Sequence, residues 1–332
     1  MTRRSAHRPP THSSRPDDAT PPATAPRVRW PDGKPFAFTV VDDTDHSTLE
    51  NVPPVYALLA DLGLRTTKSV WTIGGDARDG LACDDARYRA WVERLYDQGF
   101  EIALHNVAPR TSARERTIAG IERFHEIFGA DPAMHINHSR CRENIYWGPD
   151  RVSGLNRTLY GVLSHRGHGN AFEGHVESSP LFWGDFCRSR VKYVRNFVHG
   201  EINTLRFCPT MPYHDPRRPY VNRWFASTEG PDVRTFCAKL SDANLDRLAA
   251  EGGACIMYTH FASGFAPDGE LDPRFVRVMR RVSSLGGWFV PASTLLDHLA
   301  ATAPETHVLT DRERARLERL WLAHKVRVGG TS

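Results

Sequence analysis

Along the first half of the chain, short apolar runs alternate with stretches of helical spacing. Residues 35–41 (Pro-Phe-Ala-Phe-Thr-Val-Val) are rich in β-branched and aromatic side chains and follow the turn-like Pro31-Asp32-Gly33. That combination predicts a buried strand. Residues 66–73, 100–104 and 132–138 repeat the pattern. Between them, residues 53–62, 85–98 and 111–128 carry apolar positions at helical spacing, and each segment stops just before a glycine. The last has a clear stripe of Ile118, Ile121, Phe124 and Phe128.

After Arg140 the rhythm loosens. The stretch to Gly200 is rich in Gly, His, Trp and Arg and predicts a helix over 185–196, a strand over 201–207, then a Pro- and aromatic-rich loop over 208–224. The rhythm returns with helix 241–250, strand 254–258, helix 273–285, strand 287–290 and helix 292–300, and a charged amphipathic helix over 311–324 closes the chain. Strands alternating with helices argue an α/β fold with a mostly parallel sheet, open or closed into a barrel. One barrel of roughly 250 residues would use most of the 332. We expect one domain over 29–305, a disordered tail over 1–28, and a C-terminal helix and tail over 306–332.

Composition narrows the function classes. The first 29 residues hold six arginines against Asp17 and Asp18, which accounts for the whole formal net charge of +4. The body is therefore neutral, which argues against a nucleic-acid surface. No apolar stretch approaches the ~20 residues of a membrane span, and no apolar core of a secretory signal precedes the body. Six scattered cysteines without a Cys-x-x-Cys pair read as reduced thiols. A cytoplasmic protein is expected.

The candidate chemistry sits at the strand ends. Asp42, Asp43 and Asp45 follow the first strand, His105 and Asn106 the third, His135 and His138 belong to the fourth, and His260 follows Tyr258-Thr259. In α/β folds, ligands bind beyond the carboxyl ends of the strands. A single histidine there is ordinarily a satisfied structural residue. Four strand ends supplying Asp and His together fit a divalent-metal site that keeps a position open for water. His165, His168 and His175 have ligand-like spacing but lie in a Gly-rich stretch, which reads as a loop. Trp147, Trp183, Asp185, Tyr213, Tyr220 and Trp224 lie in loops, where aromatic faces with polar neighbours suit sugar rings.

Taken together, these motifs resemble the polysaccharide deacetylases, the family with the NodB-homology domain (carbohydrate esterase family four). Val40-Val41-Asp42-Asp43-Thr44 is similar to the family's Thr-Phe-Asp-Asp-Gly. Glu101-Ile102-Ala103-Leu104-His105 resembles the strand entering its second motif, and Ile256-Met257-Tyr258-Thr259-His260 its last. Residues 287–296 resemble its closing strand and helix. In detail the chain is nearest to a WbmS-like branch associated with bacterial surface-glycan loci. The resemblance implies an irregular (β/α)7 barrel and metal-dependent removal of an N-acetyl group from a sugar in glycan or glycoconjugate biosynthesis. It assigns Asp42 as general base, Asp43 and His105 as metal ligands, and His260 as general acid. Zinc is the expected cation, with Co, Ni or Mn as others. Where the family usually places a second histidine, four residues after the first, this chain has Pro109. His138 is the favoured replacement, with His135, Asp45, Asn106 or no third protein ligand left open. Asn137, Arg140, Arg142, Trp183 and Asp185 are expected to bind substrate, with Arg140 or Arg142 pairing with Asp42. The alternatives are an amidohydrolase of a non-sugar amide, and a catalytically silent carbohydrate-binding protein.

Overall fold

The computed structural model describes residues 28–328, apart from residue 77, residues 164–170 and residue 304. The tail expected over 1–28 falls almost wholly outside the described residues, as do His165 and His168.

Among the described residues, ten strands run in chain order as β1 (Ala37–Asp42), β2 (Thr67–Val70), β3 (Glu101–His105), β4 (Met134–Ile136), β5 (Tyr193–His199), β6 (Tyr213–His214), β7 (Arg223–Glu229), β8 (Ala254–Thr259), β9 (Trp288–Phe289) and β10 (His307–Val308). Seven of them close a barrel in the order β1-β2-β3-β4-β5-β7-β8, with β8 returning to β1, and every pairing in that ring is parallel. This is the irregular (β/α)7 barrel that the family resemblance implies, and it resolves the open-or-closed choice left by the strand-and-helix alternation. All six residues of β1 are buried, as expected for a strand covered on both faces.

The helices start and stop for local reasons. Asp85 caps Ala86–Asp97 by accepting the Tyr88 N–H, and Asp272 caps Pro273–Ser284 through Arg274 and Phe275. Gly129 ends Arg114–Phe128 in the left-handed conformation, with φ of 68°.

The middle of the chain departs from expectation. The helix expected over 185–196 is a short helix, Gly184–Arg190, followed directly by barrel strand β5. The strand expected over 201–207 is instead a one-turn helix, Thr204–Phe207, whose first turn Asn203 caps through Leu205 N–H. Barrel strand β7 begins within the segment read as a loop. Both missed strands are fully or nearly fully buried yet contain Arg195, Asn196, Ser227 and Thr228. Hydropathy hides such strands, because polar side chains interrupt the apolar run that marks a buried strand.

Candidate metal centre

The carboxyl ends of the strands open onto a cavity of about 240 Å³. Two larger cavities, of about 570 and 630 Å³, lie beside the starts of β5 and β7 and beside residues 28–29, and neither gathers comparable donors.

Period-two geometry sends neighbouring residues of a strand to opposite faces, and this separates the two adjacent aspartates at the end of β1. Asp42 turns away from the cavity and is fully buried. Its Oδ2 lies 3.0 Å from Lys68 Nζ, its cross-strand neighbour on β2, and accepts from the Tyr56 hydroxyl at 2.9 Å. Its Oδ1 accepts the Phe261 N–H at 2.8 Å. Burial raises the Asp42 pKa against the pull of Lys68, while Asp42 and the neighbouring Tyr88 together raise the lysine against its own desolvation. The two form a fully buried ion pair.

Asp43 faces the cavity. Arg195, from β5, grips its carboxylate with Nη1 at 2.8 Å and Nη2 at 2.5 Å, and the guanidinium rests 4.5 Å over the Tyr258 ring. Asp45, two residues further on, is held between two imidazoles. His138 Nε2 lies 2.8 Å from its Oδ1, and His105 Nε2 lies 3.0 Å from its Oδ2. Burial works to raise the Asp45 pKa, but these two contacts overcome it and hold the carboxyl well below the usual range. Burial lowers His105, so its imidazole stays neutral. Across the cavity His260 turns Nε2 toward Asp45 Oδ2 at 3.6 Å, while its Nδ1 meets the Pro231 carbonyl at 3.1 Å.

The histidine pair is held from behind. Trp71 packs against both rings, with centroids 6.1 Å from His105 and 5.6 Å from His138. Asn106 takes the left-handed conformation, with φ of 46°, immediately after His105. Its Oδ1 accepts the His138 N–H at 2.7 Å and its Nδ2 donates to Glu143 at 3.1 Å. A non-glycine residue at positive φ beside a cluster of potential ligands marks a place where strain serves positioning.

These residues fit a divalent cation. One atom each from Asp45, His105 and His138 lie within 4.8 Å of one another, as do atoms of Asp43, Asp45 and His260. Two imidazoles and one ionised carboxylate, with the His105 Nδ1 buried and without a hydrogen bond, form a donor set typical of divalent transition metals.

The structure brings Asp43, His105, His138 and His260 together, as expected, and adds Asp45, which the sequence left as an alternative. Asn137 lines the same cavity and pins the following loop, exchanging two 3.0 Å hydrogen bonds with the Ile145 main chain. Other expected residues lie elsewhere. Asp42 is sealed beneath. Arg140 reaches Asp79 and Arg142 reaches Glu173, so neither pairs with Asp42. Trp183 is buried, with its indole N–H donating to the Glu143 carbonyl at 2.6 Å, and Asp185 forms an exposed pair with Arg114 at 2.7 Å. His135 is enclosed below the cavity, its Nε2 3.3 Å from Asn137 Oδ1 and its ring against Trp183. His175 packs on Tyr146, 4.2 Å between centroids. Sequence reasoning missed Arg195 and Lys68 entirely. The only signal was a lone cation inside a run of strand-forming residues, Val194-Arg195-Asn196-Phe197-Val198 for the first and Thr66-Thr67-Lys68-Ser69-Val70 for the second.

No family model and no curated protein sequence matches the chain. Solved structures do. A protein from Mycobacterium smegmatis assigned as a polysaccharide deacetylase is similar with a TM-score of 0.53 at 15% identity, covering 86% of this chain and 96% of that one. The PuuE allantoinase is similar with a TM-score of 0.50 at 14% identity, with the same coverage of both chains. At this identity the likeness establishes the barrel as one of the NodB type, the fold these proteins share.

Proposed function

We propose that the protein is a metal-dependent hydrolase that removes an N-acetyl group from a sugar, acting on a glycan or glycoconjugate precursor. The observation that carries this reading is the Asp45–His105–His138 cluster sharing one cavity with the Asp43–Arg195 pair and His260. Asp45, His105 and His138 would hold the cation, zinc first among Co, Ni and Mn. When bound, a divalent cation polarises the amide carbonyl and lowers the pKa of water.

The chain's own residues supply the proton transfers. Asp43, gripped by Arg195, takes a proton from the attacking water as its oxygen bonds to the acetyl carbon. Protonated His260, fixed with Nδ1–H toward the Pro231 carbonyl, gives its Nε2 proton to the leaving nitrogen as the carbon–nitrogen bond breaks. Acetate and a free amine result. This assignment moves the base from Asp42 to Asp43 and the carboxylate ligand from Asp43 to Asp45. The physical ground is that Asp42 turns away from the cavity, its oxygens held by Lys68, Tyr56 and Phe261, whereas Asp43 lines it. Asn137 and Trp147, which line the cavity, are the proposed substrate contacts.

Within the NodB-type deacetylases the WbmS-like branch remains our reading of the nearest relatives. Six free cysteines, five of them buried, accord with a cytoplasmic setting. No described helix is long and apolar enough to cross a membrane.

A second reading keeps the metal and changes the substrate to a non-sugar amide. Two observations favour it: the small cavity and the fold shared with an allantoinase. Metal analysis together with acetate release from N-acetylhexosamines tests both. Near-stoichiometric metal with acetate release supports the sugar reading, and metal without acetate supports the second. Absence of both leaves only a silent binding protein.

A further inference from the structure

Three consecutive loops on the cavity rim, those after β2, β3 and β4, meet on one side chain. Asp79, from the first loop, is 5% exposed and accepts from Arg110 Nε at 3.2 Å and Nη2 at 2.8 Å. Arg140 Nη1 lies 3.4 Å from the same carboxylate. Each arginine side chain is 54% exposed. Arg110 alone satisfies the carboxylate with two donors, so Arg140 adds a second cation where the first already suffices. Two guanidiniums on one carboxylate leave a local charge of +1. Arg110 Nη1 and Arg140 Nε and Nη2 have no hydrogen bond among the described residues. The neighbouring charges do not cancel this excess, because Arg78 is paired with Asp76 and Arg142 with Glu173.

The pair adjoins the candidate metal centre on two sides. The Asp79 carbonyl accepts the His46 N–H at 2.7 Å, directly after Asp45. Ser139, between His138 and Arg140, lines the cavity itself. A partly exposed pair of this kind contributes little to stability, and its repulsion is relieved by an anion between the two forks. Guanidinium forks match phosphate and carboxylate oxygens in geometry as well as charge.

We propose that Arg110 and Arg140 form an anion subsite on the cavity rim, so that the substrate is an N-acetylated sugar carrying a phosphate or carboxylate. This rests on the deacetylase reading above. The test is calorimetric binding to the full-length protein of three probes: N-acetylglucosamine 1-phosphate, N-acetylglucosaminuronic acid and neutral N-acetylglucosamine. At least one anionic sugar should bind about tenfold or more tighter than the neutral one, by the strength of charged hydrogen bonds. The tighter of the two identifies the anion. R110Q/R140Q should remove that preference and leave neutral-sugar binding unchanged. R140Q alone keeps the bidentate partner of Asp79, so it reports even where the double variant does not fold, with a partial loss of about threefold. Equal binding of all three probes, binding of none, or a preference that survives both variants overturns the proposal. Metal content and acetate release from the neutral sugar are read in parallel. If they stand without any charge preference, only the subsite falls; if the preference stands without acetate from any probe, only the deacetylase reading falls.

Discussion

The two sides of the β1 terminus differ in where their positive charge comes from. Below, Asp42 meets Lys68, a cation the chain itself buries, and every oxygen is satisfied by the fold. Above, Arg195 is committed to Asp43, and Asp45 is left facing two imidazoles, one of which burial keeps neutral. The lower region is complete without a ligand. The upper one has donors converging on a point that no side-chain cation of the described residues fills, which is the arrangement an external divalent ion requires. Adjacent aspartates thus acquire opposite fates from strand alternation alone.

The strongest break of this contrast removes the upper donors. Asp45→Ala or His105→Ala should leave the purified protein without bound metal and without measurable turnover, while Asp42→Asn keeps a full complement of metal by elemental analysis. If Asp42→Asn loses metal and Asp45→Ala keeps it, the two regions have been assigned the wrong way round. Next comes the base. Asp43→Asn should cut kcat by about a thousandfold, within the range that general bases contribute, with metal still bound. Asp42→Asn should change kcat by about tenfold or less, through the Phe261 N–H that neighbours His260. Equal losses in the two variants would falsify Asp43 as the base.

Lys68→Met sharpens the lower half of the comparison. It leaves Asp42 buried without its cation, and breaking such a pair from one side costs about 3–5 kcal/mol. Chemical denaturation should register that loss. Asp42→Asn combined with Lys68→Met should recover most of it, because no lone charge remains. A double variant as unstable as Lys68→Met alone would show that the pair is not a closed unit.

Legibility in the sequence follows the same division. The first four strands, their helices and the closing segment were readable because apolar runs and glycine stops agree with one another there. His105, His138 and His260 were readable because each directly follows or belongs to such a run. Two features escaped. β5 and β7 bury polar side chains among apolar ones, so their hydropathy resembles that of a helix or loop, and Arg195 was lost with β5. The roles of Asp42, Asp43 and Asp45 depend on which face of the strand each leaves, and a one-residue shift in register exchanges the faces. Composition carries no information about that shift. The cross-strand pairing of Asp42 with Lys68 settles it, and that contact joins residues 26 positions apart.

The smallest expected effect concerns His135, enclosed beneath the metal cluster. Burial pushes its pKa down to about 3, so the folded imidazole stays neutral at pH 5 while the unfolded one, near 6.5, takes up a proton. The unfolded state then binds more protons, and stability falls as the pH drops through that window. Between pH 7 and pH 5 this single group should remove about 2 kcal/mol, given 1.36 kcal/mol for each pKa unit of mismatch. His135→Gln keeps a hydrogen-bonding partner for Asn137 and cannot take up the proton, so its denaturation midpoint should decline less steeply over the same range. The comparison must be made on metal-free protein, since loss of a cation from His105 and His138 has its own acid dependence. Parallel slopes for the wild type and the variant would mean that His135 is reached by water or titrates near its ordinary value, and that the sealed layer extends no further than Asp42 and Lys68.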